Sequence, residues 1–494
     1  MASGVWDSER LCRFVAERLR DRLLLVVSNR EPYVHSFSGD EVVWERPVGG
    51  LTEALDPVMR ASGGIWVAQG TGDADHRVVD GQGRVGVPPD NPQYTLRRVW
   101  LSSEDADRFY LGFSNEALWP LCHITFTPPI YREEDWQAYR RVNGIFAGEI
   151  SREIAGRPAV VLVQDYHFAL LPRLLKERHP RMTVGQFWHI PWPAYEVFRT
   201  CPWGEEILEG MLGNDLLGFH IPSFCDNFLQ TAQSALGAEI DRESGTVWHR
   251  GKTTVVAPFP ISVDFEGLSR QASGAEVAQE MEHLRREYRL EGRYLGISID
   301  RMDYTKGIPQ RLQALERFFQ DFPEYCGRVV FIQMGMLSRS RIESYQHTMR
   351  QIEELIGSIN SRYGTADWQP VIALTRQLSR TTLDALRRLA SFCVVSSLHD
   401  GMNLVAKEFV ASRADGDGVL ILSRFAGAAE ELPQALLINP YATADFAGEI
   451  RRAIEMPPAE RRRRMRAMRA AVAEGNIFRW GAALVGRLLA VTGG

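Results

Sequence analysis

"FCVVSSLHDGMNLVAKEF", residues 392–409, reads as an apolar strand, a tight polar turn and the first turns of a helix. Such a strand leading through a short turn into a helix is half of the unit from which parallel α/β sheets are built. Working outward, the same pattern recurs. "YLGISID" (294–300), "RVVFIQM" (328–334), "PVIALT" (370–375) and "GVLILS" (418–423) read as further strands of one series. An earlier series holds "RLLLVVSN" (22–29), "AVVLVQD" (159–165), "TVGQFWHIP" (183–191), "DLLGFHIP" (215–222) and "TTVVAPFPI" (253–261), with helix-like stretches such as "FALLPRLLKERHP" between them. The pattern restarts after "PISVDFEGL", which predicts two doubly wound α/β halves joined near residue 262. In such sheets ligands sit at the carboxyl ends of the strands, so the residues just after each strand are the candidates for function.

Composition narrows the function classes. A chain of 494 residues with 45% hydrophobic content and twelve Trp can bury large cores, and its formal charge of −5 supplies no basic field for nucleic acid. The opening "MASGVWDSERLCRF" has no apolar run, and "LLLVV" and "AVVLV" are far too short to span a membrane, so a cytoplasmic protein without membrane or nucleic-acid partners is expected. The six cysteines (12, 122, 201, 225, 326 and 393) show neither disulfide nor zinc spacing; free thiols and no metal site are expected. The basic run "ERRRRMRAMRAA" (460–471) has a helix-forming composition and reads as a solvated helical face without function.

The turn in the opening stretch carries chemistry. A helix starting after "HDGMN" leaves the first backbone N–H groups, from Met402 to Val405, without intrahelical acceptors, a ready seat for a diphosphate. Asp400 at the strand tip can accept from sugar hydroxyls, and Glu408, one turn into the helix, can take two ribose hydroxyls. An ordinary helix cap followed by a surface Glu would read the same way. Other strand ends weigh against that reading. "SIDRMDYTKG" (298–307) places Arg301 and Lys306 in a loop after a strand, where two cations can stabilise a departing phosphate, although each alone would pass for a surface charge. Arg30 follows the first strand, and "RPVGGLTEAL" puts Gly49 and Gly50 at a helix start where backbone can approach phosphate.

With "VSNR", "VGGL", "GFSNEALWP", "RVNGIFA", "VQDYHFALLP", "FWHIPWP", "LLGFHIP", "DRMDYTKG", "DGMNLVAKEFV", "GVLILSRFAGAAEEL" and "INPY" in order from residue 26 to about 441, the chain resembles the trehalose-6-phosphate synthase family. The resemblance implies a retaining GT-B glycosyltransferase, in which two Rossmann-like domains face a central cleft. It implies an acceptor-binding domain over 1–262, a nucleotide-sugar-binding domain over 263–475 and a C-terminal helix (476–494) packing back on the first. It further implies transfer of glucose from a nucleotide-glucose, UDP-glucose foremost, to glucose 6-phosphate, with no cofactor, and it is compatible with a homo-oligomer. By that resemblance Arg301, Lys306, the segment Gly401, Met402, Asn403, Leu404 and Val405, and Glu408 hold the donor nucleotide and its diphosphate. Gly50, with Gly49, caps the diphosphate, and Asp400 and His189 hold the transferred glucose. The acceptor phosphate falls to Arg30 and Arg339, and its ring to Tyr110, Trp119 and Asp165. Asp165 then orients the acceptor instead of attacking the sugar, because the family retains configuration without an agreed enzymic nucleophile.

Two departures from the family pattern fall near the sugar site. His399 stands where an Arg is usual, and "WVAQGTGD" (66–73) replaces a "W-x-G-W-S-G" loop. "NREPY" and "WVA" resemble glucosylglycerol-phosphate synthases, which implies ADP-glucose and glycerol 3-phosphate as the alternative substrates, whereas "VGGL" keeps the trehalose-type glycine pair. Leu378 replaces an aromatic in the base-contacting region, leaving the nucleotide open. A haloacid dehalogenase-type phosphatase is disfavoured because "ADGDGV" (414–419) precedes its strand and reads as a turn. A catalytically dead homologue is disfavoured because Arg30, Arg301, Lys306, Arg339 and Glu408 are all present.

Overall fold

The computed structural model describes residues 5–47, 50–336 and 339–493. The chain divides into two compact units, one running to Ile261 and taking up the chain again from Ile477, the other spanning Ser262–Asn476.

The first unit is built on a ten-stranded sheet. Seven strands run parallel, in the order Lys252–Pro258, Leu216–Phe219, Thr183–Phe187, Ala159–Gln164, Leu23–Val27, Ile65–Gln69 and Tyr94–Val99, with antiparallel strands added at both edges. Ala159–Gln164 is buried along its whole length, which is why its sequence is a continuous apolar run and does not alternate. The strand expected to reach residue 191 ends at Phe187, four residues before Pro191. The stretch expected as a loop at 66–73 is strand as far as Gln69: Ile65–Gln69 pairs with Leu23–Val27, and its first four residues are buried.

The last helix, Ile477–Val491, belongs to this unit. Its Trp480 Nε1 donates to the Phe259 carbonyl at 3.2 Å. Leu488 lies so close to Gly185 that a Cβ there would sit 2.9 Å from it. A glycine in the middle of a buried strand weakens the strand, and here it lets the helix lie down on the sheet.

The second unit is a six-stranded, all-parallel sheet in the order Val371–Leu374, Val329–Met336, Tyr294–Arg301, Phe392–Val395, Val419–Ser423 and Leu436–Ile438. Chain order reverses on either side of Tyr294–Arg301, so this strand and Phe392–Val395 flank the crevice where such sheets take ligands. The basic run lies in the helix Pro458–Glu474, but not all of it is solvated. Arg469 donates to the carbonyls of Val410 and Ala411, at the end of the helix Leu404–Ser412, where a cation also meets the negative end of the helix dipole.

Candidate functional site

In the first unit the candidates gather at the carboxyl ends of its central strands. Arg30 lies three residues beyond Val27, and its Nη2 donates to the Tyr110 hydroxyl at 2.9 Å. Tyr110 stacks on His167 with ring centroids 5.8 Å apart. It projects from the π-helix Arg108–Leu118, a widened helix type found mostly in short pieces and often at functional sites. Trp119 follows, 6% exposed and packed against His123 and Tyr166.

Asp165 ends the buried strand Ala159–Gln164 with φ +70° and ψ 177°. That region is essentially reserved for glycine and costs a side-chain-bearing residue about 1–3 kcal/mol. The cost is offset locally. Its Oδ1 accepts the Tyr166 N–H at 2.9 Å and the His189 N–H at 3.1 Å, so the carboxylate is held by two backbone amides. His189 shares a 2.9 Å hydrogen bond between Nε2 and Gln164 Oε1. Burial pushes its imidazole well below the ordinary histidine range, and His220 and His167 nearby add to the effect. It is therefore neutral at physiological pH; with Nε2–H donating to Gln164, Nδ1 is left as an acceptor. Gly50 opens the helix Gly50–Ser62, while Gly49 lies outside the described residues.

In the second unit the helix Leu404–Ser412 begins where expected. Asn403 caps it, its Oδ1 accepting the Ala406 N–H at 3.1 Å, and does so with φ +87°. Asp400 is drawn together with Lys306: Nζ lies 2.5 Å from Oδ2, which also accepts from Ser397 Oγ at 3.0 Å and Asn403 Nδ2 at 3.2 Å. Gly427 braces this turn from behind. Its N–H donates to the Asp400 carbonyl at 3.2 Å, and a Cβ on it would lie 2.2 Å from the Gly401 carbonyl oxygen, so no other residue fits without moving the backbone. Glu408, one turn into the helix, pairs with Arg387, which also holds Asp384 at 3.0 Å.

Arg301 and Arg339 come together around a residue that the pattern of strand ends did not single out. Asp303 is fully buried, and its Oδ2 lies 3.7 Å from Arg301 Nη2 and 3.6 Å from Arg339 Nη1. Burial alone would push this carboxyl up. Arg301, Arg339 and Lys306 outweigh it and hold the group below the usual carboxylate value. The signal was present in "DRMDYTKG": an acid between two cations after a strand. Arg311 gave no such signal. It is fully buried and ties three neighbouring strands together, donating to Asp300 at 2.8 Å, to Gln333 in mid-strand at 2.7 Å and to Ser396 at 2.8 Å. Among the described residues, no group of three or more His, Cys, Asp or Glu is placed to hold a metal ion, and no helix is long and apolar enough to cross a membrane.

Two α/β units, one of them presenting cations, an acid and a helix start at its strand ends, suit a glycosyltransferase that draws on a nucleotide sugar. The chain belongs to glycosyltransferase family 20, whose family model matches residues 22–490. Among its relatives, the trehalose-6-phosphate synthase of Mycolicibacterium smegmatis is 38% identical over 475 residues, covering 94% of this chain and 92% of the relative. Solved structures agree. An α,α-trehalose-phosphate synthase (UDP-forming) from Burkholderia xenovorans in complex with glucose 6-phosphate superposes with a TM-score of 0.84 at 32% identity, covering 94% of this chain and 99% of that one. An E. coli structure bound with UDP-2-fluoro glucose has a TM-score of 0.84 at 30% identity, covering 94% and 98%.

Proposed function

We propose that the protein transfers glucose from UDP-glucose to glucose 6-phosphate with retention of configuration, forming α,α-trehalose 6-phosphate and UDP. The observation that carries this reading is the Lys306–Asp400 pair set against the open start of the helix Leu404–Ser412. It offers a cation and backbone amides to a diphosphate and a carboxylate to a sugar, side by side. The similarity to UDP-forming trehalose-phosphate synthases along nearly the whole chain supports the choice of substrates.

In this reading the second unit is the nucleotide-sugar domain. Arg301, Lys306 and the backbone from Gly401 to Val405 take the diphosphate, Glu408 takes the ribose hydroxyls, and Asp400 takes the hydroxyls of the transferred glucose. In the first unit, Gly50 offers a backbone N–H at its helix start to a phosphate, and neutral His189 offers an acceptor to a sugar hydroxyl; Gly49 keeps only the role that the resemblance implies. The first unit is the acceptor domain, with Tyr110, Trp119 and Asp165 about the ring. The acceptor phosphate is assigned to Arg30 and Arg339, since Arg supplies directional, charge-assisted hydrogen bonds to a phosphate dianion.

Charge placement sets the chemistry. The bond from the glucose anomeric carbon to the UDP oxygen breaks, and the acceptor hydroxyl bonds to the same face of that carbon. Its proton passes to the departing phosphate oxygen, whose new negative charge Arg301, Lys306 and the helix amides stabilise. Asp165 orients the acceptor: with Oδ1 accepting two backbone amides, it is held as an acceptor and not aimed as a nucleophile. We place the protein in the cytosol, in keeping with cysteines that are all free thiols.

The test is to incubate purified protein with UDP-, ADP- or GDP-glucose against glucose 6-phosphate or glycerol 3-phosphate, with a chelator in one arm, and to identify products by mass and linkage. The expected outcome is α,α-linked disaccharide phosphate from UDP-glucose and glucose 6-phosphate, undiminished by chelator. Product from ADP-glucose and glycerol 3-phosphate alone would move the assignment to glucosylglycerol-phosphate synthesis, the reading to which "NREPY" and "WVA" point.

A further inference from the structure

The strands Tyr294–Arg301 and Val329–Met336 end side by side, because Arg301 and Met336 are register partners in the last rung of that ladder. Asp303 lies two residues beyond the first strand and Arg339 three beyond the second. Between them stands a connected set of contacts. Asp303 Oδ1 accepts the Thr305 N–H at 3.0 Å and its hydroxyl at 2.9 Å, which fixes the carboxylate and turns Oδ2 toward the two guanidiniums. The Tyr345 hydroxyl lies 3.3 Å from the same Oδ2 and accepts from Arg339 Nη1. Tyr345 is fully buried, and the Arg339 guanidinium sits 5.5 Å from its ring centroid. Arg339 has φ +50°, a region that costs a side-chain-bearing residue, and its carbonyl accepts the Ile342 N–H at 2.9 Å, which anchors the position.

One carboxylate thus stands between two cations that would otherwise repel each other. The proposed function gives these cations to different ligands, Arg301 to the donor diphosphate and Arg339 to the acceptor phosphate. Resting on that assignment, we infer that Asp303, with Tyr345, is the positioning residue that holds both phosphate-binding arginines in place at once, so that a residue touching neither substrate sets the affinity for both. Preorganisation is the physical reason. Without the shared anion the guanidiniums move apart, and each phosphate must then gather its own arginine at a cost in binding. Asp303 fits this role because it is ionised, buried and already anchored by Thr305.

The test is Asp303→Asn, which keeps the shape and removes the charge, compared with Arg339→Ala, the double variant and Tyr345→Phe. Thermal unfolding checks that each is folded. Expected are about tenfold increases in both the UDP dissociation constant, by calorimetry, and the KM for glucose 6-phosphate. Arg339→Ala should raise the acceptor KM much less in the Asp303→Asn background than in the native chain, the coupling expected of groups in one network. Tyr345→Phe, which leaves the charges in place, should raise the acceptor KM and spare UDP binding. If Asp303→Asn does not fold, an unchanged acceptor KM in Tyr345→Phe overturns the inference. A folded Asp303→Asn with both affinities unchanged, or additive effects with Arg339→Ala, overturns it as well while native turnover stands. A native protein that makes no disaccharide phosphate overturns the acceptor assignment first, and this inference with it.

Discussion

The two units share a parallel sheet with its candidates at the strand ends, yet they arrange those ends by opposite means. In the first unit the groups other than Arg30, which donates to the Tyr110 hydroxyl, are neutral or held by backbone: Asp165 by two amides, His189 as a neutral imidazole, Tyr110 stacked on His167. In the second unit they are ions set against ions: Lys306 on Asp400, Arg387 on Glu408, Arg301 and Arg339 on Asp303. The difference reflects what each is proposed to bind. A sugar ring is recognised by placed acceptors and aromatic faces, and stray charge there adds little. A leaving diphosphate demands positive charge, and several cations in one crevice are stable only with acids between them.

Lys306→Ala tests this contrast most severely. Its charge is needed most as the diphosphate departs, so kcat should fall by about 10²–10³-fold with the acceptor KM nearly unchanged. Steady-state kinetics with both substrates varied would decide; a loss confined to KM would mean that Lys306 only binds. Next in size, Arg30→Ala and Arg339→Ala should each raise the acceptor KM by about 10–100-fold, since a charge-assisted hydrogen bond to phosphate is worth about 1.5–3 kcal/mol. Donor binding should stay nearly intact. Should Arg339→Ala abolish nucleotide binding and spare the acceptor, Arg339 belongs with Arg301 and Lys306, and the division of labour proposed here breaks.

Glu408→Gln should weaken donor binding by about 1–3 kcal/mol in calorimetry, because a neutral amide accepts less strongly from ribose hydroxyls. The pairing with Arg387 sharpens this test. If donor affinity is unchanged while thermal stability drops, Glu408 serves the fold and not the ligand.

The smallest expected effect concerns His189. Its folded pKa lies well below the ordinary value of about 6.5. Below that ordinary value the unfolded chain takes up a proton that the folded chain refuses, so this contribution to stability is present above about pH 6.5 and is lost as pH falls. His189→Gln should therefore lose less Tm than the native protein between about pH 7.5 and about pH 5.5. Equal losses in both would mean that the imidazole takes up its proton in the folded chain as readily as in the unfolded one, and that the reading of His189 as a neutral acceptor is wrong.

What the sequence determined by itself was everything set by neighbours along the chain. Apolar runs such as "AVVLVQD" marked buried parallel strands because both faces of such a sheet are covered. The short turn in "HDGMN" marked the start of a helix, and the ordered motifs brought Arg301, Lys306, Asp400 and Glu408 into view. Tertiary structure decided what depends on pairing across long separations. Tyr94–Val99 escaped the pattern of apolar runs because it carries Arg97 and Arg98. Arg98 is nonetheless fully buried, since Glu31 and Asp75, distant in sequence, meet it at 2.7 and 2.8 Å. The same holds at the site. The strained backbone of Asp165, the neutral state of His189 and the sharing of Asp303 by two arginines depend on which groups are brought together once water is excluded, and no local pattern of residues encodes that.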